Sequence, residues 1–405
     1  MYDNIIPLML KNTFHMKETL TGVVLALDNV LALFLLPLIG TLSDRVHTPL
    51  GKRTPFIVVG TVAAVISMTF LPIANKNVNL TMFMIALGIV LIAMGCYRSP
   101  AVALMPDLTP KPLRSMANAV INLMGAIGGV LAIVIVKLFS GGEKYNYTMI
   151  FLSVAAIMLL AVVILLITIR ENRLAGLIEN DEAVQNNEKA EHREAGAKSE
   201  RMPKEVKRSF AFIMASIFLW FTAYNAVTSA YSRYAQEVWD LKAGGFTDSL
   251  LVAMIAAIIS YIPIGIIASK IGRKKTIITG ILLMTASYLC GAFIFHYTPV
   301  VNVIFAFTGI GWAAINVNSY PMVVEMCKGS DIGKYTGLYY TFSMSAQILT
   351  PILSGALLEH ISYRTLFPYA VFFSVASLCT MFFVKHGDSK PIRKAKALEN
   401  FDTPD

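Results

Sequence analysis

The sequence predicts an all-α membrane protein built as two six-helix bundles related by a pseudo-two-fold axis. Three observations predict it: the composition, a succession of long apolar runs, and a repeat between the two halves. Of 405 residues, 56% are apolar and only 15% charged, against roughly 45–50% and 25% in a soluble domain. An ordinary soluble protein is excluded. Runs of the ~20 apolar residues needed to cross a bilayer occupy 20–42, 55–73, 80–105, 117–138, 148–169, 209–232, 249–269, 276–295, 299–324, 335–358 and 365–384. These make eleven complete spans. Residues 2–10 are left over at the start, about 14 Å of helix and too short to span alone.

Residues 170–208 have the opposite composition, with acids and bases interleaved as in Glu188, Lys189, Glu191, Arg193 and Glu194. They read as a solvated linker, disordered or loosely helical. The chain therefore divides into an N-terminal bundle at 1–169, a linker at 170–208, a C-terminal bundle at 209–385 and a tail at 386–405. The halves repeat. Gly40-x-x-x-Asp44-Arg45 corresponds to Gly265-x-x-x-Ser269-Lys270 at an offset of 225. Gly51-Lys52-Arg53 matches Gly272-Arg273-Lys274, and Pro100 and Met105 match Pro321 and Met326, at 221. Tyr2-Asp3 aligns with Tyr224-Asn225, and Lys11 with Arg233, at 222. The run holding Tyr224 starts near Ser209, so its counterpart is expected to start roughly a dozen residues before Met1, which makes the first helix a truncated one. Two parallel six-helix halves joined by a polar loop form a known transporter plan, with the solute site near the midplane where the halves meet.

The 34 basic residues outnumber 25 acidic ones, for a net charge of +9. Their placement explains the excess. With the linker in the cytoplasm, 25 of the basic residues fall on the linker side, eight on the other, and Arg98 alone lies inside a span. That is the asymmetry of the positive-inside rule. The expected location is the plasma membrane, multi-pass, with linker and C-terminus cytoplasmic; no nucleic-acid partner is required. Cys96, Cys290, Cys327 and Cys379 sit in apolar stretches without the paired spacing of a zinc site or disulfide framework.

After the first complete span the chain reads Gly40-Thr-Leu42-Ser-Asp44-Arg45, then Gly51-Lys52-Arg53-Thr-Pro55-Phe56-Ile57. This resembles the signature loop of the major facilitator superfamily, with an Asp-Arg, a tight glycine turn and a basic cluster between the second and third helices. The six-residue step from Arg45 to Gly51 and the Lys-Arg-x-Pro-Phe-Ile ending look like the sucrose/proton and glycoside-pentoside-hexuronide/cation symporters. The superfamily resemblance covers the whole chain and implies the major facilitator fold; the branch rests mainly on this loop. It implies a gating role for Asp44 and Arg45, since an acid at a helix end can pair with a neighbouring base in one of two arrangements. Arg114, after the fourth helix, is the expected partner. The later half has Ser269 and Lys270 in those places, so only the first half is expected to keep an acidic latch.

A charge at the bilayer centre costs at least ~2.5–3.5 kcal/mol, so charged residues inside spans are functional candidates by default. Asp3, Asp28 and Arg98 qualify. Arg98 precedes Asp107 by nine residues, about 13 Å of rise, while Asp28 lies ~24 Å from Asp44 and higher in the membrane. The sucrose/proton symporters also carry a buried arginine on the fourth helix, and the resemblance assigns it to sugar or carboxylate contact. A guanidinium offers a rigid fork of donors for such acceptors. Two carboxylates at similar depth tend to share a proton, so Asp28, with Asp3, is the expected carrier of a coupling proton. Bracing ion pairs and simple hydration are the structural alternatives for these three. The symporters' fourth-helix aspartate is missing here, and the places of the sodium-coupled pair hold Leu36 and Ala32. Sodium coupling through that pair is not expected.

From the second half, Tyr224, Asn225, Trp312, Asn316 and Asn318 are candidate solute contacts, because amides and aromatic faces suit sugars; asparagines in spans also serve as interhelical glue. No nucleophile constellation, metal-ligand cluster or phosphate-cradling loop occurs. The chain is expected to be no enzyme and to need no cofactor or metal. Its expected function is secondary transport of a small polar solute, a sugar or glycoside, in symport with protons. The alternatives are an exporter of amphipathic organic molecules and a transport-inactive sensor or scaffold of the same fold.

Overall fold

The computed structural model describes residues 2–109, 114–141, 144–174, 176, 203–326 and 332–388. In the first half the helices are α1 (Tyr2–Asn12), α2 (Glu18–Arg45), α3 (Thr54–Lys76), α4 (Leu80–Asp107), α5 (Arg114–Leu138) and α6 (Tyr147–Thr168). In the second they are α7 (Lys204–Glu237), α8 (Thr247–Ile271), α9 (Arg273–Ala292), α10 (Val300–Glu325), α11 (Ile332–His360) and α12 (Leu366–Phe382). A 3-10 turn at Tyr363–Thr365 precedes α12, and a two-residue antiparallel pair, Ser140–Gly141 with Lys144–Tyr145, joins α5 to α6.

Among the described residues ten helices are long and apolar enough to cross a membrane. Their outward faces are apolar: Phe34, Val59, Ile167, Ile262 and Phe372 are all exposed. Lipid is the solvent that tolerates such a surface, because every backbone group is satisfied inside its own helix. The protein is a multi-pass integral membrane protein. Side chains set several helix starts. Asn79 accepts from the Met82 N–H at 3.0 Å and Asn146 from the Met149 N–H at 3.1 Å, each satisfying one orphan donor at the first turn.

The repeat read from the sequence is a repeat of packing. In the first half α3 lies against α4 and α6, and α2 against α4; in the second α9 lies against α10 and α12, and α8 against α10. Gly51 and Gly272, aligned by the repeat, both turn with positive φ, 118° and 97°. Only glycine adopts that backbone without strain. The halves join through α2 with α11, α5 with α8, and α1 with α7. The α2–α11 junction is backbone against backbone at the ends remote from the linker: a Cβ on Gly22 would stand 2.1 Å from the Pro351 carbonyl oxygen, and one on Gly355 2.6 Å from that of Glu18.

Candidate functional site

A cavity of about 440 Å³ opens among α1, α2, α3, α4, α6, α7 and α11. Its polar lining is Tyr2, Asp3, Asp28, Asn29, Tyr97, Arg98, Asn225, Thr228, Ser229 and Gln347; Met68, Leu87, Val90, Met94, Phe151 and Met158 form an apolar wall. Local bonds place the charged groups. The Tyr2 hydroxyl donates to the Val24 carbonyl at 2.7 Å, one turn before Asp28, and this fixes α1 and its Asp3 beside α2. The Ser99 hydroxyl donates to the Leu36 carbonyl at 2.9 Å, setting the level of α4, so Arg98 enters the cavity about 12 Å of helical rise from Asp28. Arg98 is exposed to the cavity, and among the described residues no hydrogen bond or ion pair holds its guanidinium.

The three intramembrane charges singled out in the sequence thus share one chamber. Of the candidate solute contacts, Arg98 and Asn225 line it. The Asn225 amide also donates to the Phe221 carbonyl at 2.7 Å. Four others do not line it. The Tyr224 ring stacks on Trp312 at 3.7 Å between centroids and 4° between planes, so each covers a face of the other. Asn318 is buried and donates to the Ala314 carbonyl at 2.8 Å, and the Asn316 side chain lies on the side of Tyr261. Tyr2, Asn29 and Tyr97 line the cavity without having been singled out. Adjacency was the available signal: Asn29 follows Asp28, Tyr97 precedes Arg98, and Tyr2 is the repeat partner of Tyr224.

On the linker face, Asp44 is paired with Arg53. The same guanidinium meets Asp107 at 2.9 Å, donates to the Gly40 carbonyl at 3.2 Å and bonds the Ser43 hydroxyl. Arg45 is exposed, and the Arg114 side chain lies outside the described residues. The Glu171 carboxylate accepts from the backbone N–H of Lys52, Arg53 and Thr54, each at 2.9 Å, and from the Thr54 hydroxyl at 2.7 Å. It serves the orphan donors at the start of α3. One expectation is corrected here. The second half also holds its turn with acids: Glu325 pairs with Arg273, and Asp388 accepts from the Arg273 N–H at 2.5 Å and the Lys274 N–H at 3.3 Å. Glu325 comes from the end of α10 and Asp388 from the segment after α12, so comparing only the Asp44 and Ser269 positions passes over them.

The Major Facilitator Superfamily profile matches residues 1–262 and 245–403. No curated protein matches the chain by sequence. The fold is similar to the inward-open xylose transporter XylE from E. coli, at 16% identity over 98% of this chain and 94% of that one, with a TM-score of 0.67. It is similar to a structure described as a D-xylose-proton symporter, at 16% identity, 95% and 94% coverage and a TM-score of 0.68. A POT family transporter in complex with a thioalcohol-conjugated peptide is similar at 12% identity, 95% and 91% coverage and a TM-score of 0.69.

Proposed function

The chain belongs to the major facilitator superfamily, and on that premise we propose that it is a secondary active transporter moving a small polar organic solute, a sugar or glycoside, in symport with protons. One observation carries the reading: Asp3, Asp28 and Arg98 line a single cavity bounded by helices of both halves. Arg98 is the solute's anchor and Asp28, with Asp3, the proton carrier. A solute hydroxyl or carboxylate that engages the guanidinium offsets its positive field at Asp28, so solute and proton favour each other's binding; by linkage the effect is reciprocal. The similar structures named as a xylose transporter and a D-xylose-proton symporter support the sugar and proton assignments. Asn225 completes the polar side. Tyr224, Trp312, Asn316 and Asn318 take part when α7 and α10 shift during the cycle.

Asp44, Arg45 and Arg114 form the gate on the linker face, which is the cytoplasmic face of the plasma membrane. With Asp44 held by Arg53 inside its own half, that gate stands disengaged. The methionine-rich wall of the cavity favours a second reading, an exporter of amphipathic molecules, since such side chains adapt to irregular apolar bodies.

Counterflow in proteoliposomes separates the readings. Labelled disaccharide exchange, accumulation under an inward proton gradient, and loss of accumulation with an uncoupler or in Asp28→Asn are the expected results. Exchange only of amphipathic compounds supports the second reading. No exchange with any solute contradicts both and favours a sensor or scaffold.

A further inference from the structure

A second buried charge cluster outside the cavity lies on the face remote from the linker. Glu18, at the start of α2, has a side chain only 6% exposed, and Arg233 on α7 is 2% exposed. Their Oε2 and Nε stand 2.9 Å apart. The other oxygen of Glu18 accepts from the Tyr363 hydroxyl and lies 3.8 Å from Lys11 Nζ on α1. Lys11 in turn reaches Glu237 on α7 at 2.7 Å and donates to the Tyr363 hydroxyl at 2.6 Å. Two of these groups, Lys11 and Glu18, belong to the first half; Arg233, Glu237 and Tyr363 belong to the second. The repeat-related cations Lys11 and Arg233 therefore converge on one carboxylate across the pseudo-two-fold axis. Next to it, the Thr19 N–H donates to Glu359 Oε2 at 2.9 Å, again across the halves.

Resting on the transport reading above, we propose that Glu18 is the latch of the outer gate, the group that holds the two halves together on the face opposite the linker. The distribution of unmet hydrogen bonds distinguishes a latch from a permanent brace. Glu18 Oε2 and both Nε and Nη1 of Arg233 are buried without a partner in hydrogen-bond geometry, although the opposite charges face each other. A buried ion pair repays its desolvation only when its remaining donors and acceptors are satisfied. Opening the outer face would hydrate these atoms, which keeps the closed and open arrangements close in free energy. A fully satisfied pair would instead lock the face shut.

Spin labels at Asn77 in the α3–α4 loop and Thr298 in the α9–α10 loop, both exposed, report the outer separation of the halves by electron–electron dipolar spectroscopy. In the full-length protein without solute, a short distance is expected to dominate. Glu18→Gln is expected to raise the ratio of long to short distances by roughly tenfold or more, and the milder Tyr363→Phe by about threefold. The exchange Glu18→Arg with Arg233→Glu is expected to restore the short distance. Unchanged distributions in folded Glu18→Gln and Tyr363→Phe protein would overturn the proposal, as would a charge exchange no better than Glu18→Gln. Because no solute enters the measurement, its outcome is separate from that of the counterflow experiment.

Discussion

At the outer end, ion pairs and close backbone approaches run between the halves, as between Glu18 and Arg233, Lys137 and Asp248, and Gly22 and Pro351. At the linker end the described ion pairs stay within a half: Arg53 with Asp44 and Asp107, Lys52 with Asp107, Arg273 with Glu325. The same kinds of residue do different work at the two ends. Outer charges decide how the halves sit against each other, whereas linker-face charges make each half a rigid body by tying helix ends to the following turn. Alternating access needs both properties, since rigid halves can rock only about a junction that opens. The loop hairpin belongs with the outer set, because Tyr145 of the first half accepts from the Gly244 N–H at 3.0 Å. Burial pushes the Tyr145 hydroxyl above the ordinary phenol range, so it stays neutral and the contact is insensitive to physiological pH.

The largest effect is expected from Arg53→Ala, which strands two carboxylates at the linker end. Breaking a buried pair costs about 3–5 kcal/mol, and the low end applies because the Asp44 side chain is 56% exposed. Thermal unfolding in detergent should show this loss, while the outer spin-label distance keeps its short peak. Disappearance of that peak would mean that the two ends are not independent.

Gly22→Ala makes the opposite test, at the outer end. Its Cβ would stand 2.1 Å from the Pro351 carbonyl oxygen, and overpacking of this kind costs about 1–3 kcal/mol. The expected outcome is a shift of the outer distance toward long values with little change in unfolding temperature. A purely destabilised protein with an unchanged distance would remove α2–α11 contact from the outer closure.

The repeat-related turns sharpen the comparison within the linker face. Gly51→Ala combines a φ of +118° with a contact of 2.1 Å to the Glu171 carboxylate and is expected to cost about 2–3 kcal/mol. Gly272→Ala, whose nearest contact is 2.8 Å to Asp388, is expected to cost about 1 kcal/mol. Equal losses on thermal unfolding would show that φ alone sets both. The smallest effect belongs to Lys137→Ala. The Lys137–Asp248 pair is about half-exposed on both sides, so its removal should change the outer distance distribution by less than a factor corresponding to ~1 kcal/mol, and less still in high salt.

Most of the fold was legible because the bilayer imposes it locally. Span length, apolar content and charge sidedness need no knowledge of which helices touch, and the offset between Gly51 and Gly272 survived as the same turn in both halves. Partners were not legible in the same way. Asp44 pairs with Arg53, nine residues on along the chain, although Arg114 in a later loop looked equally basic. Which cation arrives depends on how α3 leaves its turn, and this is set by Glu171 from beyond α6. Glu18 gave no signal, because an acid at a span end is hydrated by default; only the alignment of Lys11 with Arg233 marked that level of the membrane. The charged part of the cavity was found because a charge inside a span is costly enough to stand out against its apolar neighbours. Its apolar wall was missed, since methionines and leucines in spans are indistinguishable from lipid-facing ones until the helices are packed.

The central claim is that in this state the halves are joined at the outer end, from which it follows that the cavity should be reached from the linker face. It is tested most directly by placing a single cysteine at Asn29, which lines the cavity, in protein whose four native cysteines are replaced. A membrane-impermeant thiol reagent is then applied to one face of oriented vesicles at a time. Rapid labelling from the linker face and slow labelling from the outer face is the expected result, with Glu18→Gln gaining outer labelling. Labelling at equal rates from both faces without that substitution, or faster from the outer face, would contradict the account.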